Sequence, residues 1–317
     1  MIECEKFMSA ARMSLPFLGS SKEPQGGVFK KVEAYLESVK CGNESNLCQL
    51  LEKASSGKRV FHQSQLKITR LITVKESCLL LPENEDSTMN DVAHNLTEVK
   101  QRIQAATERS GRTADAVTLV AVSKTWPVDH VQLAVDAGQL VLGENKLQDG
   151  QEKIPAMDQS LEWHYIGGLQ RNKVRKVLGL FHWVHSIDSL KLAKYTDGVA
   201  ADLGVRPKVL LQVNIGAELS KGGFALDGLR EQFAEIAALK NIDLRGLMCI
   251  PPAVAEPDQA RKFFKAMVTL RAELIAKHGV ELPELSMGMS GDFEVAIEEG
   301  ATMVRVGSSI FGGRNYQ

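Results

Sequence analysis

From Thr118 onward the chain alternates short apolar runs with amphipathic stretches. The runs are TLVAVS (118–123), LVLGEN (140–145), EWHYIG (162–167), WVHSID (183–188), KVLLQVNI (208–215), LRGLMCI (244–250), ELSMGM (284–289) and TMVRVG (302–307). Each is bounded by polar or glycine-containing junctions, the mark of a buried strand. Between them lie helical periodicities. The clearest, PDQARKFFKAMVTLRAELIAKHG (257–279), sets Phe263, Phe264, Met267, Leu270 and Leu274 on one face between Pro257 and Gly279. Upstream of the first run, residues 90–112 carry a stripe of Val92, Leu96, Val99, Ile103 and Ala106 that stops at Gly111.

Eight strand–helix units in roughly 200–230 residues predict a single (β/α)8 barrel with an N-terminal helix. No GxGxxG follows the first strand, which argues against an open dinucleotide-binding sheet. The periodic signal begins near residues 83–90, so 1–88 is read as an N-terminal extension and 89–317 as the barrel. In the extension, Val28, Val32, Tyr35 and Val39 form a helical stripe and LKITRLITV (66–74) reads as a strand, but neither carries a chemical motif. Met89 stands just before the first strong helix, and 1–88 is expected to be dispensable.

Charge narrows the function classes. The 38 basic residues are balanced by 39 acidic ones with no long run of either sign, which speaks against nucleic acid. No apolar stretch approaches the roughly 18–20 residues that span a bilayer. Cys4, Cys41, Cys48, Cys78 and Cys249 form no CxxC pair or metal spacing, which fits a reducing compartment. Glu3 and Glu5 precede the apolar MSLPFLG and spoil it as a signal sequence, so the expected location is cytoplasmic.

The chemistry gathers where barrel chemistry sits, at the carboxyl ends of strands. There stand Lys124, Glu144 and Asn145, His164 and Gly167, His185 and Ser186, Asn214, Ser290, Arg305 and Gly307. Singly each has a plain reading: Lys124 as a lysine reaching solvent, Glu144 as a helix cap, His164 and His185 as packing or orienting groups. The set is more telling. In GMSGDFEVAIEEG (288–300) and VRVGSSIFGG (304–313), a strand turns through small residues into a helix start. The backbone N–H groups of Ser290, Gly291, Gly307 and Ser308 can there face one anion.

Strand alternation puts Arg305 on the same face as Gly307, and a buried guanidinium needs an acceptor. A lysine, a phosphate cradle and an arginine between them suggest a ligand with an aldehyde at one end and a phosphate at the other. Pyridoxal 5′-phosphate is such a ligand, its aldehyde condensing with Lys124 (or, failing that, Lys146) and its ring nitrogen accepting from Arg305. A barrel holding a phosphorylated sugar on the same lysine is an alternative that leaves Arg305 without a task.

The motifs AVSKT, GENKLQDGQEK, WHYIGGLQRNK, VHSID, LLQVNIGAELSKGGF, GLMCIPP and LSMGMSGDFEVAIEEGATMVRVGSSIFGGR follow one another in order over about 90–317. Together they resemble the pyridoxal phosphate homeostasis proteins. The resemblance implies a barrel similar to the N-terminal domain of alanine racemase, with pyridoxal phosphate held covalently as an imine of Lys124. It implies a phosphate cradle at Ser290, Gly307 and Ser308, Arg305 on the ring nitrogen, and Asn145, His164 and Met289 lining the pocket.

An arginine on the ring nitrogen keeps that nitrogen unprotonated and weakens the ring as an electron sink. Racemisation also needs two opposed acid–base groups, one of which alanine racemases draw from a C-terminal β-domain. The sequence runs only to Gln317, with Tyr316 its one late tyrosine, and no such domain is expected. The expectation is a non-catalytic carrier that buffers or delivers pyridoxal phosphate; the alternative is an amino-acid racemase or lyase of low activity. Expected partners are pyridoxal phosphate and the apoenzymes that use it, with no nucleic acid and no membrane, and the expected assembly is a monomer or weak dimer.

Overall fold

The computed structural model describes residues 84–218 and 221–313. The stripe at 28–40 and the run at 66–74 lie outside the described residues. The first element is helix α1 (Asn84–Arg109), which starts upstream of Met89 and carries that residue within it. Eight strands follow: β1 (Thr118–Val122), β2 (Val141–Glu144), β3 (Glu162–Tyr165), β4 (Trp183–Ile187), β5 (Lys208–Val213), β6 (Asp243–Cys249), β7 (Glu284–Met289) and β8 (Met303–Val306). All pair in parallel in sequence order, and β8 returns to β1 from Thr118 opposite Met303 to Ala121 opposite Val306, closing the barrel. The predicted (β/α)8 architecture is therefore the observed one.

The helices between strands are α2 (Val128–Asp136), α3 (Leu147–Ala156), α4 (Val174–Leu178), α5 (Leu190–Leu203), α6 (Leu226–Ala237), α7 (Arg261–His278) and α8 (Phe293–Glu298), with the short α9 (Ser308–Phe311) after β8. In α7, Phe264, Met267, Leu270 and Leu274 are buried as their spacing requires, and Gly279 ends the helix in the left-handed region at φ 64. Phe263 departs from expectation. It is half-buried at the edge of the apolar face, because Phe263 and Phe264 are adjacent residues about 100° apart around the helix and cannot both point at the centre of one stripe.

Strand alternation divides the interior into two regions. Outward residues such as Val304 and Val306 join the large core between barrel and helices. Inward residues Trp183, Leu210, Met248 and Met303 pack as a separate apolar plug inside the barrel.

Helix α1 buries Val92, Leu96, Val99, Ile103 and Ala106 and is tied to the last units of the barrel. Arg102 pairs with Glu294 at 2.7 Å, Arg109 with Glu298 at 2.9 Å, and Asn95 Nδ2 donates to the Ile310 carbonyl at 3.1 Å. These contacts hold α8 and α9, the helices beside the expected anion cradle. Among the described residues no helix is long and apolar enough to cross a membrane, and no cluster of His, Cys, Asp or Glu is arranged to hold a metal.

Candidate functional site

A cavity of about 580 Å3 opens among the carboxyl ends of the strands. Its wall includes Lys124, Asn145, Met289, Ser290, Arg305, Gly307 and Ser308, so seven of the eight residues expected at the site meet there. The volume lies within the roughly 300–1,000 Å3 of small-molecule sites.

Lys124 follows the end of β1 and is half-buried. The chain turns sharply after it, since Thr125 has φ 71, a region that non-glycine residues rarely enter. Trp126 N–H donates back to the Ser123 carbonyl at 3.2 Å and closes this turn. Behind it lies a buried ionic cluster. Lys153 on α3 donates to the Ser123 carbonyl at 2.8 Å and to Glu144 at 2.5 Å, while the Ser123 hydroxyl donates to Glu144 at 2.7 Å. Glu144 is thus neither a wall of the mouth nor a cap of α3. It shares the parity of Leu142 and faces the helices, where burial pushes its carboxyl up against the pull of Lys153. Lys146, the alternative lysine, is exposed and off the cavity wall.

Asn145 reaches the cavity because the turn after β3 carries a glycine. A Cβ on Gly167 would stand 1.9 Å from the Asn145 carbonyl oxygen, so only glycine permits this approach. Asn145 Oδ1 is buried and takes no hydrogen bond from the described residues.

After β7 and β8 the Ser290 hydroxyl accepts from Gly307 N–H at 3.2 Å and Ser309 N–H at 3.4 Å, marking an acceptor position at the start of α9. Met289 N–H donates to Asp292 at 2.7 Å and fixes the preceding turn. Arg305, only 4 % exposed, donates through Nη1 to Ser286 Oγ at 2.7 Å and through Nη2 to the Cys249 carbonyl at 2.9 Å. Burial lowers its pKa from the usual arginine value. The Cys249 thiol is pushed up to about 12 by burial, which removes it as a nucleophile near neutral pH.

His164 is the exception among the expected residues. It lies fully buried one layer below the cavity, 2.9 Å from His185 and 2.9 Å from Glu162. Alternation explains this: His164 and Ile166 both point inward, and Ile166, nearer the mouth, takes the wall position. Asp188, Gln212 and Lys221 also line the cavity. Lys221 is held by Glu218 at 2.5 Å and the Pro251 carbonyl at 2.9 Å, and Asn214 folds the same loop through bonds to Glu218 and Lys221. Scanning strand ends found Asn214 but not Lys221, which arrives from a loop.

Residues 90–315 match the alanine racemase N-terminal domain family. A pyridoxal phosphate homeostasis protein of Escherichia coli is 44% identical over 233 residues, covering 72% of this chain and 99% of that protein. One of Aquifex aeolicus is 42% identical over 227 residues, covering 71% and 100%. The chain belongs to the pyridoxal phosphate homeostasis family. Among solved structures, PipY of Synechococcus elongatus with pyridoxal phosphate bound is 36% identical, with a TM-score of 0.62 over 70% of this chain and 100% of that one. Beyond the family, an alanine racemase of Clostridium difficile shares the fold at 17% identity and a TM-score of 0.57, over 72% of this chain and 58% of that one.

Proposed function

We propose that this protein binds pyridoxal 5′-phosphate at the barrel mouth, covalently through Lys124, and buffers or delivers it without substantial turnover. The observation that carries the reading is the single cavity whose wall bears Lys124, the Ser290–Gly307–Ser308 turn and Arg305. Relatives named pyridoxal phosphate homeostasis proteins, matched over nearly their whole length, support it.

The residues suit such a ligand. Lys124 Nζ, when unprotonated, can condense with an aldehyde, forming a carbon–nitrogen double bond and releasing one water. Ser290 Oγ already draws two backbone N–H groups to one point, where a phosphate oxygen would find donors. Arg305 uses two of its five N–H groups on Ser286 and Cys249, and it borders the cavity. Asn145 Oδ1 offers a buried acceptor to a ring hydroxyl. When bound, the cofactor supplies an electrophilic carbon and an electron-withdrawing ring.

What limits catalysis in this reading is the wall itself. Among the described residues it carries no histidine, tyrosine or cysteine, and Lys221 is engaged by Glu218 and Pro251. Racemisation requires two free acid–base groups facing each other across the ligand, and beside Lys124 the wall offers, among the described residues, only Asp188 for the second role. We further assign the protein to the cytoplasm as a monomer or weak dimer serving pyridoxal phosphate-dependent apoenzymes, with residues 1–88 dispensable for binding.

The deciding experiment is incubation of the loaded protein with a panel of L-amino acids and, separately, with an apoenzyme. Restored apoenzyme activity without amino-acid turnover supports the carrier. Turnover that disappears in Lys124→Ala would replace it with a racemase or lyase.

A further inference from the structure

A continuous line of polar side chains crosses the barrel beneath the cavity. It starts at Glu162, at the amino end of β3, whose side chain is 38% exposed. Glu162 Oε1 lies 2.8 Å from Trp183 Nε1 and 2.9 Å from His164 Nε2. His164 Nδ1 lies 2.9 Å from His185 Nε2, and His185 Nδ1 lies 2.9 Å from Ser286 Oγ. Ser286 Oγ accepts from Arg305 Nη1 at 2.7 Å, and Arg305 reaches the cavity. Apart from Glu162 every side chain in the line is at least nine-tenths buried.

The two ends dictate the proton order. An indole N–H only donates, so Glu162 Oε1 is an acceptor; a guanidinium only donates, so Ser286 Oγ is an acceptor towards Arg305. The His164 hydrogen bond, opposed by partial burial, holds the Glu162 carboxyl down at about 2 and keeps it ionised. Burial lowers the pKa of both histidines and keeps them neutral. A neutral imidazole has one donor and one acceptor nitrogen. His164 must therefore donate from Nε2 to Glu162 and accept at Nδ1. His185 must then donate from Nε2 and accept at Nδ1, which leaves the Ser286 O–H as its donor.

We propose that Glu162, His164, His185 and Ser286 are positioning residues for Arg305, forming a hydrogen-bond chain in which every proton points away from the cavity towards the Glu162 carboxylate. The half-exposed carboxylate at one end of the barrel thereby sets the proton pattern at the other. With the Ser286 proton committed to His185, its lone pairs face Arg305 and hold the guanidinium at the cavity floor. The order of the chain is a property of the ligand-free protein. Only its consequence for a ring nitrogen rests on the pyridoxal phosphate reading.

The test is 15N–1H NMR of the histidine rings in the full chain with no cofactor added. His164 and His185 are expected to be neutral at pH 7 with their protons on Nε2. Glu162→Gln keeps an acceptor oxygen, pinned by Trp183 N–H, and is expected to leave both on Nε2. Glu162→Lys supplies only donors and is expected to move both protons to Nδ1. A proton on Nδ1 of either ring in the unaltered protein, or no movement in Glu162→Lys, overturns the chain. In protein loaded with pyridoxal phosphate, the visible absorbance maximum is expected to shift in Glu162→Lys and return in Glu162→Gln. Failure of the protein to load would count against the cofactor reading while the NMR result still decides the chain.

Discussion

Two buried cations stand on opposite sides of the barrel wall, and they are satisfied in different ways. Lys153, outside the wall, has a carboxylate at 2.5 Å and a carbonyl at 2.8 Å. Arg305, inside it, has only a serine hydroxyl and a carbonyl, and among the described residues it takes part in no ion pair. Burying a charge is costly unless it is paired and hydrogen-bonded. Lys153 is complete within the chain and serves to brace the turn that presents Lys124. Arg305 keeps donors at the edge of an open cavity.

The largest expected effect breaks the complete pair. Lys153→Met leaves Glu144 buried without its cation and should cost about 3–5 kcal/mol in urea unfolding, whereas Glu144→Leu combined with Lys153→Met should recover most of it. An equal loss in the double variant would mean that the pair itself supplies net stability. Arg305→Met should cost less, about 1–3 kcal/mol, because it strands a hydroxyl and a carbonyl but no carboxylate. It should nevertheless weaken pyridoxal phosphate binding and move its absorbance maximum; unchanged spectra would take Arg305 away from the ring.

The interior chain also makes a pH prediction. The folded pKa values of His164 and His185 are lowered, so below about 6.5 the unfolded chain binds protons that the folded one does not. Stability should fall with pH there, both histidines contributing to the slope. Glu162, His182, Lys208 and Arg305 are the titratable and charged groups around them. Glu162 acts in the same direction further down, since its depressed carboxyl loses its contribution as pH falls from 4.5 to about 2. Replacing His185 by glutamine should flatten the upper slope. The smallest effect should come from Ser290→Ala, which removes one acceptor from two backbone N–H groups that an anion can serve instead. A loss of pyridoxal phosphate affinity of about 5- to 10-fold is expected by isothermal titration.

Much of this was legible in the sequence, for a physical reason. Parallel barrel strands are buried on both faces, so they appear as apolar runs, and all eight were visible with ends within a residue or two of those observed. Polar residues at strand ends are anomalous on such a background, which is why Lys124, Asn145 and Arg305 stood out. What the runs did not reveal was depth. Counting parity along β2 from Leu142 would have sent Glu144 to the helix side, and counting along β3 would have put His164 below Ile166. Lys153 and Lys221 were invisible to such counting, because their positions depend on how a helix and a loop return to the wall.

The central claim, that Lys124 holds pyridoxal phosphate, is tested most directly by borohydride treatment of the protein incubated with the cofactor, followed by peptide mass spectrometry. A yellow protein that bleaches on reduction is expected, with the pyridoxyl adduct on Lys124 and none in Lys124→Ala. An adduct confined to another lysine, or a protein that stays colourless, would contradict it.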